Sequence, residues 1–189
     1  MGLAPEHRVL TVLEGERVRL RAHTDADVDA AYAVFSDPVV MRYWSRPPMT
    51  DPEQARHLLA DIREHVAAGS LLQWAIARRS DDHVLGHVSL FALNPPHERA
   101  EMGYALGSAH WRQGLAREAL TLALDHAFHT LGLRRIEADV DPRNDASIAL
   151  LERLGFRHEG TLRERWFVAG ELQDSAMYGL LARDWRRDA

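Results

Sequence analysis

The sequence predicts an α/β fold, one mixed sheet flanked by helices. Three observations lead there. Short runs of strand character recur along the 189 residues, some alternating and some continuously apolar. Two segments of helical period each follow a strand and end on a glycine, at Gly132 and at Gly155. No repeat or low-complexity stretch interrupts this order, and the length suits one domain.

Arg17 to Arg21 alternates charge with Val18 and Leu20, which suits a half-buried strand. Residues 1–14 before it read as a loosely attached leader, residues 15–183 as the domain, and 184–189 as a tail. Thr24 is placed to cap a helix that stops near Asp37-Pro38. Thr50 and Glu53 have capping-box spacing around Pro52. Ala55, Leu58, Leu59, Ile62 and Val66 continue that helix to Gly69.

Leu72 to Ala77 and Val84 to Leu93 flank Asp81-Asp82 and read as a hairpin, ended by Asn94-Pro95-Pro96. Ala100 to Leu106 is a further strand. A long helix opens after Gly114, with Leu120, Leu124, Ala127, Phe128 and Leu131 as its apolar stripe. Ile136, Ala138 and Val140 alternate with charged residues in the next strand. The turn Asp141 to Asn144 leads to a helix buried through Ile148, Leu151 and Leu154. A final strand pair begins at Phe156 and turns near Ala169-Gly170. The expected order is strand, two helices, three strands, helix, strand, helix, two strands.

Composition narrows the function. The chain has no cysteine, which excludes a thiol nucleophile, a Cys-ligated zinc and a disulfide framework. The net charge is -5 with both signs interspersed, so no basic stripe marks a nucleic-acid partner. Apolar runs fall far short of the ~20 residues a membrane span needs, and residues 1–8 lack the apolar core of a signal peptide. The expected setting is cytoplasmic, without nucleic acid or membrane as partner. Of the 11 histidines, His126 and His129 lie three apart on the long helix, yet no further metal ligand accompanies them, and no metal is expected.

Two segments carry chemistry. The first is Trp111-Arg112-Gln113-Gly114-Leu115-Ala116-Arg117, at the mouth of the long helix. Unpaired first-turn amides and a partial positive charge suit an anion such as pyrophosphate. Gly114 omits a Cβ where a phosphate approaches, and Arg112 and Arg117 add charge at the rim. Alone, the segment reads equally as an ordinary helix start behind a glycine loop. The second is Asn144-Asp145-Ala146-Ser147, which alone reads as a helix cap. Neither a P-loop nor a dinucleotide glycine fingerprint is present.

Together, the order strand, [Q/R]-x-x-G-x-[G/A], helix, strand, N-x-x-S/A, helix, Gly-Phe resembles the GCN5-related N-acetyltransferases. Three stretches are similar to the branch holding ribosomal-protein N-terminal and spermidine acetyltransferases. These are Ala100 to Leu106 with Trp111, Gly155 to Gly160, and Gly170 to Asp174. The resemblance spans roughly residues 15 to 183. It implies that the two central parallel strands splay, and that acetyl-CoA lies in the V-shaped gap between Ala100–Leu106 and Arg135–Val140. It implies that backbone groups of Tyr104, Ala105 and Leu106 meet the pantetheine arm. It implies that the amides of Gln113, Gly114, Leu115, Ala116 and Arg117 hold the pyrophosphate, with Trp111 and Arg112 also among the cofactor-binding residues. Asn144 and Ser147 close from the other side. Glu101 resembles the strand glutamate that serves as base, the other reading being a surface residue flanked by Arg99. Two positions depart from the pattern. Trp111 replaces a usual Gln or Arg, and Leu151 stands where many relatives carry a proton-donating tyrosine. Ser147 or a water is then the candidate donor to the thiolate.

The implied activity is acetyl transfer from acetyl-CoA to a primary amine, most naturally a peptide or protein N-terminus, by a chain that can form a homodimer. A polyamine or antibiotic amine is the alternative acceptor, and a non-catalytic acyl-CoA-binding module the alternative to an enzyme. Residues 41–48, with Trp44 and two prolines, are expected to line the acceptor side. Trp44, Trp74 and Trp166 are expected in the core or the pocket wall.

Overall fold

A computed structural model of the chain describes residues 9–186. Eight strands form one sheet: β1 Leu13–Glu14, β2 Val18–Arg21, β3 Leu72–Arg78, β4 Val84–Asn94, β5 Arg99–Leu106, β6 Arg135–Val140, β7 Arg157–Val168 and β8 Glu171–Leu181. Their spatial order is β1-β2-β3-β4-β5-β6-β8-β7, antiparallel everywhere except between β5 and β6. Helices α1 Val28–Ser36, α2 Pro38–Met41 and α3 Pro52–Ala68 precede β3. Helix α4, Leu115–Asp125, runs on through a π-turn at His126–Thr130 and crosses to β6, while α5, Asp145–Arg153, connects β6 to β7.

The sequence reading therefore misses one strand and one short helix. Strand β1 is two residues long and has no period to read, but Leu13 pairs with Leu20 and the Trp74 indole donates to the Thr11 carbonyl at 3.0 Å. The supposed leader thus joins the sheet at its end, and residues 1–8 lie outside the described residues. At the other end, Trp185 is buried and its indole donates to Asp125 at 2.8 Å, so the expected tail begins docked; residues 187–189 lie outside the description.

Local chemistry explains the helix starts. The Asp27 carboxylate accepts from the Thr24 amide at 2.7 Å and from both terminal nitrogens of Arg21 at 2.8 and 3.0 Å, tying β2 to the turn before α1. At α3 the cap is Asp51 rather than Thr50. The Asp51 carboxylate accepts from the Glu53 amide at 2.9 Å, and the Gln54 side chain accepts from the amides of Thr50 and Asp51. The capping box is therefore one residue later than the spacing of Thr50 and Glu53 suggested. Gly69, with φ 72°, closes α3 in the left-handed region that suits glycine.

The main core lies between the sheet and α4. Leu120, Leu124, Ala127 and Phe128 pack with Val18, Leu20, Trp74, Ile136 and Leu180. On the opposite face, α1 and α3 form a smaller cluster through Val28, Ala31, Ala55, Leu59 and Ile62. The central strands turn polar residues toward that second face: Gln73 on β3, His87 and Ser89 on β4, Glu101 on β5 and Asp139 on β6. A sheet face that is polar yet largely covered is spent on something other than core.

Candidate active site

The two parallel strands pair only at their start, where Arg99 faces Arg135, Ala100 faces Ile136 and Glu101 faces Glu137. Beyond Glu101, β5 stays with β4 as far as Leu106, while β6 stays with β8 as far as Val140. The sheet therefore splits, and residues 102–106 present an edge with no strand on the β6 side. A cleft of about 600 Å³ occupies this opening. Its walls include Glu101, Gly103 and Tyr104 from β5, Asp139 from β6, and Asn144, Ser147 and Leu151 from α5. The loop before α3 adds Tyr43, Trp44 and Arg46, and the last hairpin adds Arg165, Trp166 and Asp174.

Glu101 sits at the apex of the split. It makes no hydrogen bond or ion pair with the described residues. Arg99, which flanks it in the sequence, donates instead to Glu137 at 2.7 Å, and Arg135 holds the other Glu137 oxygen at 2.8 Å. Burial, with the Glu137 and Asp139 charges behind it, pushes the Glu101 carboxyl above its usual range despite Arg165 and Arg99. A lone carboxylate with a raised pKa, open to a cleft, is suited to accept a proton.

On the other side of the split, the Tyr104 and Ser147 hydroxyls are 2.6 Å apart. Ser147 is fixed by the first turn of α5, where its amide donates to the Asn144 side chain at 3.1 Å. Asn144 is thus both helix cap and cleft wall. Burial pushes the Tyr104 phenol up to about 12, so it stays protonated at neutral pH. Leu151 is buried against this pair. The sequence reading assigned Tyr104 through its backbone only. Its hydroxyl is the feature that was missed, and the alternation of β5 was the available signal: Tyr104 falls on the α5 face, opposite to Glu101.

The Trp111 to Arg117 loop lies beyond the end of β5 and does not line the large cleft. Trp111 anchors it, donating its indole N–H to the Leu106 carbonyl at 2.7 Å. This accounts for tryptophan at a position read as Gln or Arg, and it leaves the Leu106 carbonyl already engaged. Arg112 and Gly114 have positive φ, 60° and 76°, and turn the chain into α4. A smaller depression here is lined by Gly114, Arg117 and Arg17. Arg17 donates to the Gln113 carbonyl at 2.8 Å and to the Glu118 carboxylate at 2.9 Å, while Glu118 accepts the Arg17 and Val18 amides. Arg17 was read only as a strand residue; nothing in its local sequence links it to a loop about a hundred positions away.

An open β5 edge runs toward a helix mouth with a glycine nest and basic rim, which fits an extended, phosphorylated thioester carrier. The family comparison agrees. The model of the acetyltransferase (GNAT) domain matches residues 17–157. This chain is a GNAT acetyltransferase. It is 37% identical over 176 residues to the N-acetyltransferase p20 of Bacillus licheniformis, covering 93% of this chain and 99% of that one. The N-acetyltransferase YoaA of Bacillus subtilis is 35% identical over 170 residues, with 90% and 96% covered. Among solved structures, the Vibrio cholerae spermidine N-acetyltransferase in complex with CoA and spermine superposes with a TM-score of 0.79. It shares 25% identity over 90% of this chain and 98% of that one. The protein is accordingly an acetyl-CoA-dependent N-acetyltransferase, and its single mixed sheet is the acetyltransferase fold.

Trp74 is core, whereas Trp44 and Trp166 are cleft wall, as expected. His126 packs edge-on against Trp74 at 5.6 Å. Among the described residues no group of three or more metal-binding side chains occurs, and no helix is long and apolar enough to cross a membrane.

Proposed function

We propose that this acetyltransferase acetylates a peptide N-terminus, with Glu101 as base and the Ser147–Tyr104 pair as proton donor. The observation that carries the reading is the opening of the sheet immediately after Glu101. The ammonium of the acceptor enters from the α1/α3 face, where Glu101 takes its proton directly or through a water. The free amine then forms the new N–C bond at the thioester carbonyl. A backbone amide of the unpaired β5 edge polarises that carbonyl. As the C–S bond breaks, Ser147, held by Tyr104, gives a proton to the sulfur, the nitrogen loses its second proton to water, and water restores the Ser147 hydroxyl, so Tyr104 stays protonated throughout. The Gln113 to Arg117 amides, with Arg17 bracing the loop, hold the pyrophosphate.

The peptide acceptor rests on the mixed charge of the cleft. Its carboxylates are largely engaged within the protein: Asp139 by Arg165 at 3.0 Å, Asp141 by Arg143, and Asp174 by the Glu164 amide at 2.8 Å. A polycation gains most from uncompensated carboxylates, and among the described carboxylates of the cleft Asp139 and Asp141 have arginine partners while Glu101 and Asp174 have none. The spermidine acetyltransferase similarity favours a polyamine as the second reading. A thiol-release screen of peptides, spermidine and aminoglycosides decides between them. A tenfold advantage for spermidine in kcat/KM ends the peptide proposal and leaves the acetyltransferase assignment standing.

A further inference from the structure

The acceptor half of the cleft also holds an unneutralised charge of opposite sign to Glu101. Arg46, in the loop after α2, is half-buried, and its guanidinium lies over the Phe35 ring at 4.5 Å and near the Trp44 ring at 5.7 Å. Among the described residues it has ring contacts and no carboxylate partner. Every other arginine of this cleft has a carboxylate: Arg165 has Asp139. Burial lowers the Arg46 pKa, consistent with a desolvated cation, yet a guanidinium remains charged at any working pH.

The floor beneath is polar as well. Gln73 is 8% exposed, lines the cleft and makes no side-chain hydrogen bond with the described residues. It pairs in register with Ser89, whose hydroxyl donates to the Gly103 carbonyl at 3.2 Å. Gly103 keeps this floor low, because a Cβ there comes within 3.3 Å of the Ser89 hydroxyl and 3.2 Å of Phe91. The Gln73 amide opens to the cleft rather than being sealed in the core, so it is available to whatever enters. Both of its N–H groups can donate to an oxygen anion, as can the five of Arg46.

We infer that the acceptor carries a carboxylate near its amine, the ammonium going to Glu101 and the carboxylate to Arg46 and Gln73. The inference rests on the acetyltransferase reading and refines its substrate class. Glu101 at the apex, with no cation paired to it, and Arg46, with no carboxylate paired to it, complement a zwitterion in a single cleft, whereas a polyamine meets the Arg46 charge with nothing to offset it. Two sources have this chemistry, the α-carboxylate of a free amino acid and an acidic side chain at the start of a peptide.

The test compares matched acceptors at saturating acetyl-CoA. Glycine against glycinamide probes the first source, and tetrapeptide amides beginning Ser-Asp against Ser-Asn probe the second. The wild type should favour the carboxylate member of at least one pair by tenfold or more in kcat/KM, and the pair that responds identifies the source. Arg46→Met, which keeps the apolar stem, should bring that ratio to within about threefold of unity. Arg46→Lys should restore part of it, and Gln73→Leu should lower it. Equal use of acid and amide by the wild type, or a preference that survives Arg46→Met, overturns the inference while leaving acetyl transfer intact. If none of the four acceptors turns over, calorimetric titration of the CoA-bound protein with succinate and with succinamide decides. Succinate should bind at least tenfold tighter, and only with Arg46 present. Equal binding sinks the anion subsite, and failure to bind CoA sinks the site reading itself.

Discussion

The hydroxyls of Tyr104 and Ser147 meet at 2.6 Å across the opening between β5 and α5, where Leu151 offers no proton. In the proposed mechanism these two residues, from separate elements, supply the proton that Leu151 lacks. Ser147→Ala should lower kcat by about 10- to 100-fold, and Tyr104→Phe by less, with KM for acetyl-CoA nearly unchanged, since a positioned acid contributes up to about 10²- to 10⁴-fold. Steady-state kinetics on both variants measures this. Full activity in Ser147→Ala assigns the proton to water.

Glu101→Gln should reduce kcat by about 10²- to 10⁴-fold and abolish the acidic limb of the pH–rate profile. Glu137 makes a finer probe. Its charge helps raise the Glu101 pKa, so Glu137→Gln should let Glu101 ionise at lower pH and carry the acidic limb downward. A limb that stays in place assigns it to some other group.

Gly114→Glu puts a side chain on a residue with φ 76° and a negative charge at the helix mouth. Its Cβ alone approaches Arg17 to 3.3 Å. Acetyl-CoA affinity should fall more than tenfold, about 1.4 kcal/mol, by calorimetry on the folded variant. Unchanged affinity would remove the loop from the site.

Glu118 collects two amides and the Arg17 guanidinium on one carboxylate, sewing the start of β2 to the first turn of α4. Glu118→Ala should cost about 1–3 kcal/mol, because both amides and the guanidinium lose their acceptor. Denaturant unfolding reads the stability. A parallel loss of acetyl-CoA affinity is expected, since Arg17 also holds the Gln113 carbonyl.

His87 and His23 are buried and neutral, with burial holding their pKa values at about 3 and about 4. The unfolded chain takes up these protons near 6.5, while the folded chain refuses them until far lower pH. Stability should therefore be full above about pH 6.5 and decline as pH falls toward 4. Each histidine contributes a slope of up to about 1.4 kcal/mol per pH unit. Comparing denaturant midpoints at pH 7 and pH 5 tests it. His23→Leu should flatten the dependence, and an unchanged slope would exonerate that residue.

Much of the fold was legible because period and punctuation agree. Strands β2 and β6 alternate, β3 and β4 are apolar runs bounded by turn residues, and α3, α4 and α5 carry a helical period. The cap of α3 shifted by one position because Thr50 and Asp51 are both good caps and Glu53 and Gln54 are both good partners. Geometry alone chooses between them. The family resemblance points to Glu101, Asn144 and Ser147, and the fold brings all three to the walls of the cleft. Arg17, Arg46 and Gln73 were not legible, since their roles come from neighbours brought in by the fold. Gln73 lies on a strand whose other face is core, and only the sheet reveals what it faces.

The short seam between β5 and β6 has a mechanical meaning. One plate runs from β1 to β5 and the other from β6 through β8 to β7, and strand hydrogen bonds join them only from Arg99–Arg135 to Glu101–Glu137. Glu101 and Glu137, facing each other at the last rung, add like-charge repulsion where the sheet parts. The ladder is thus left unfinished by one strand's width. In the proposed binding mode a molecule laid along residues 102–106 acts as the missing rung-bearer, and the substrate is then, for the length of a turnover, part of the architecture.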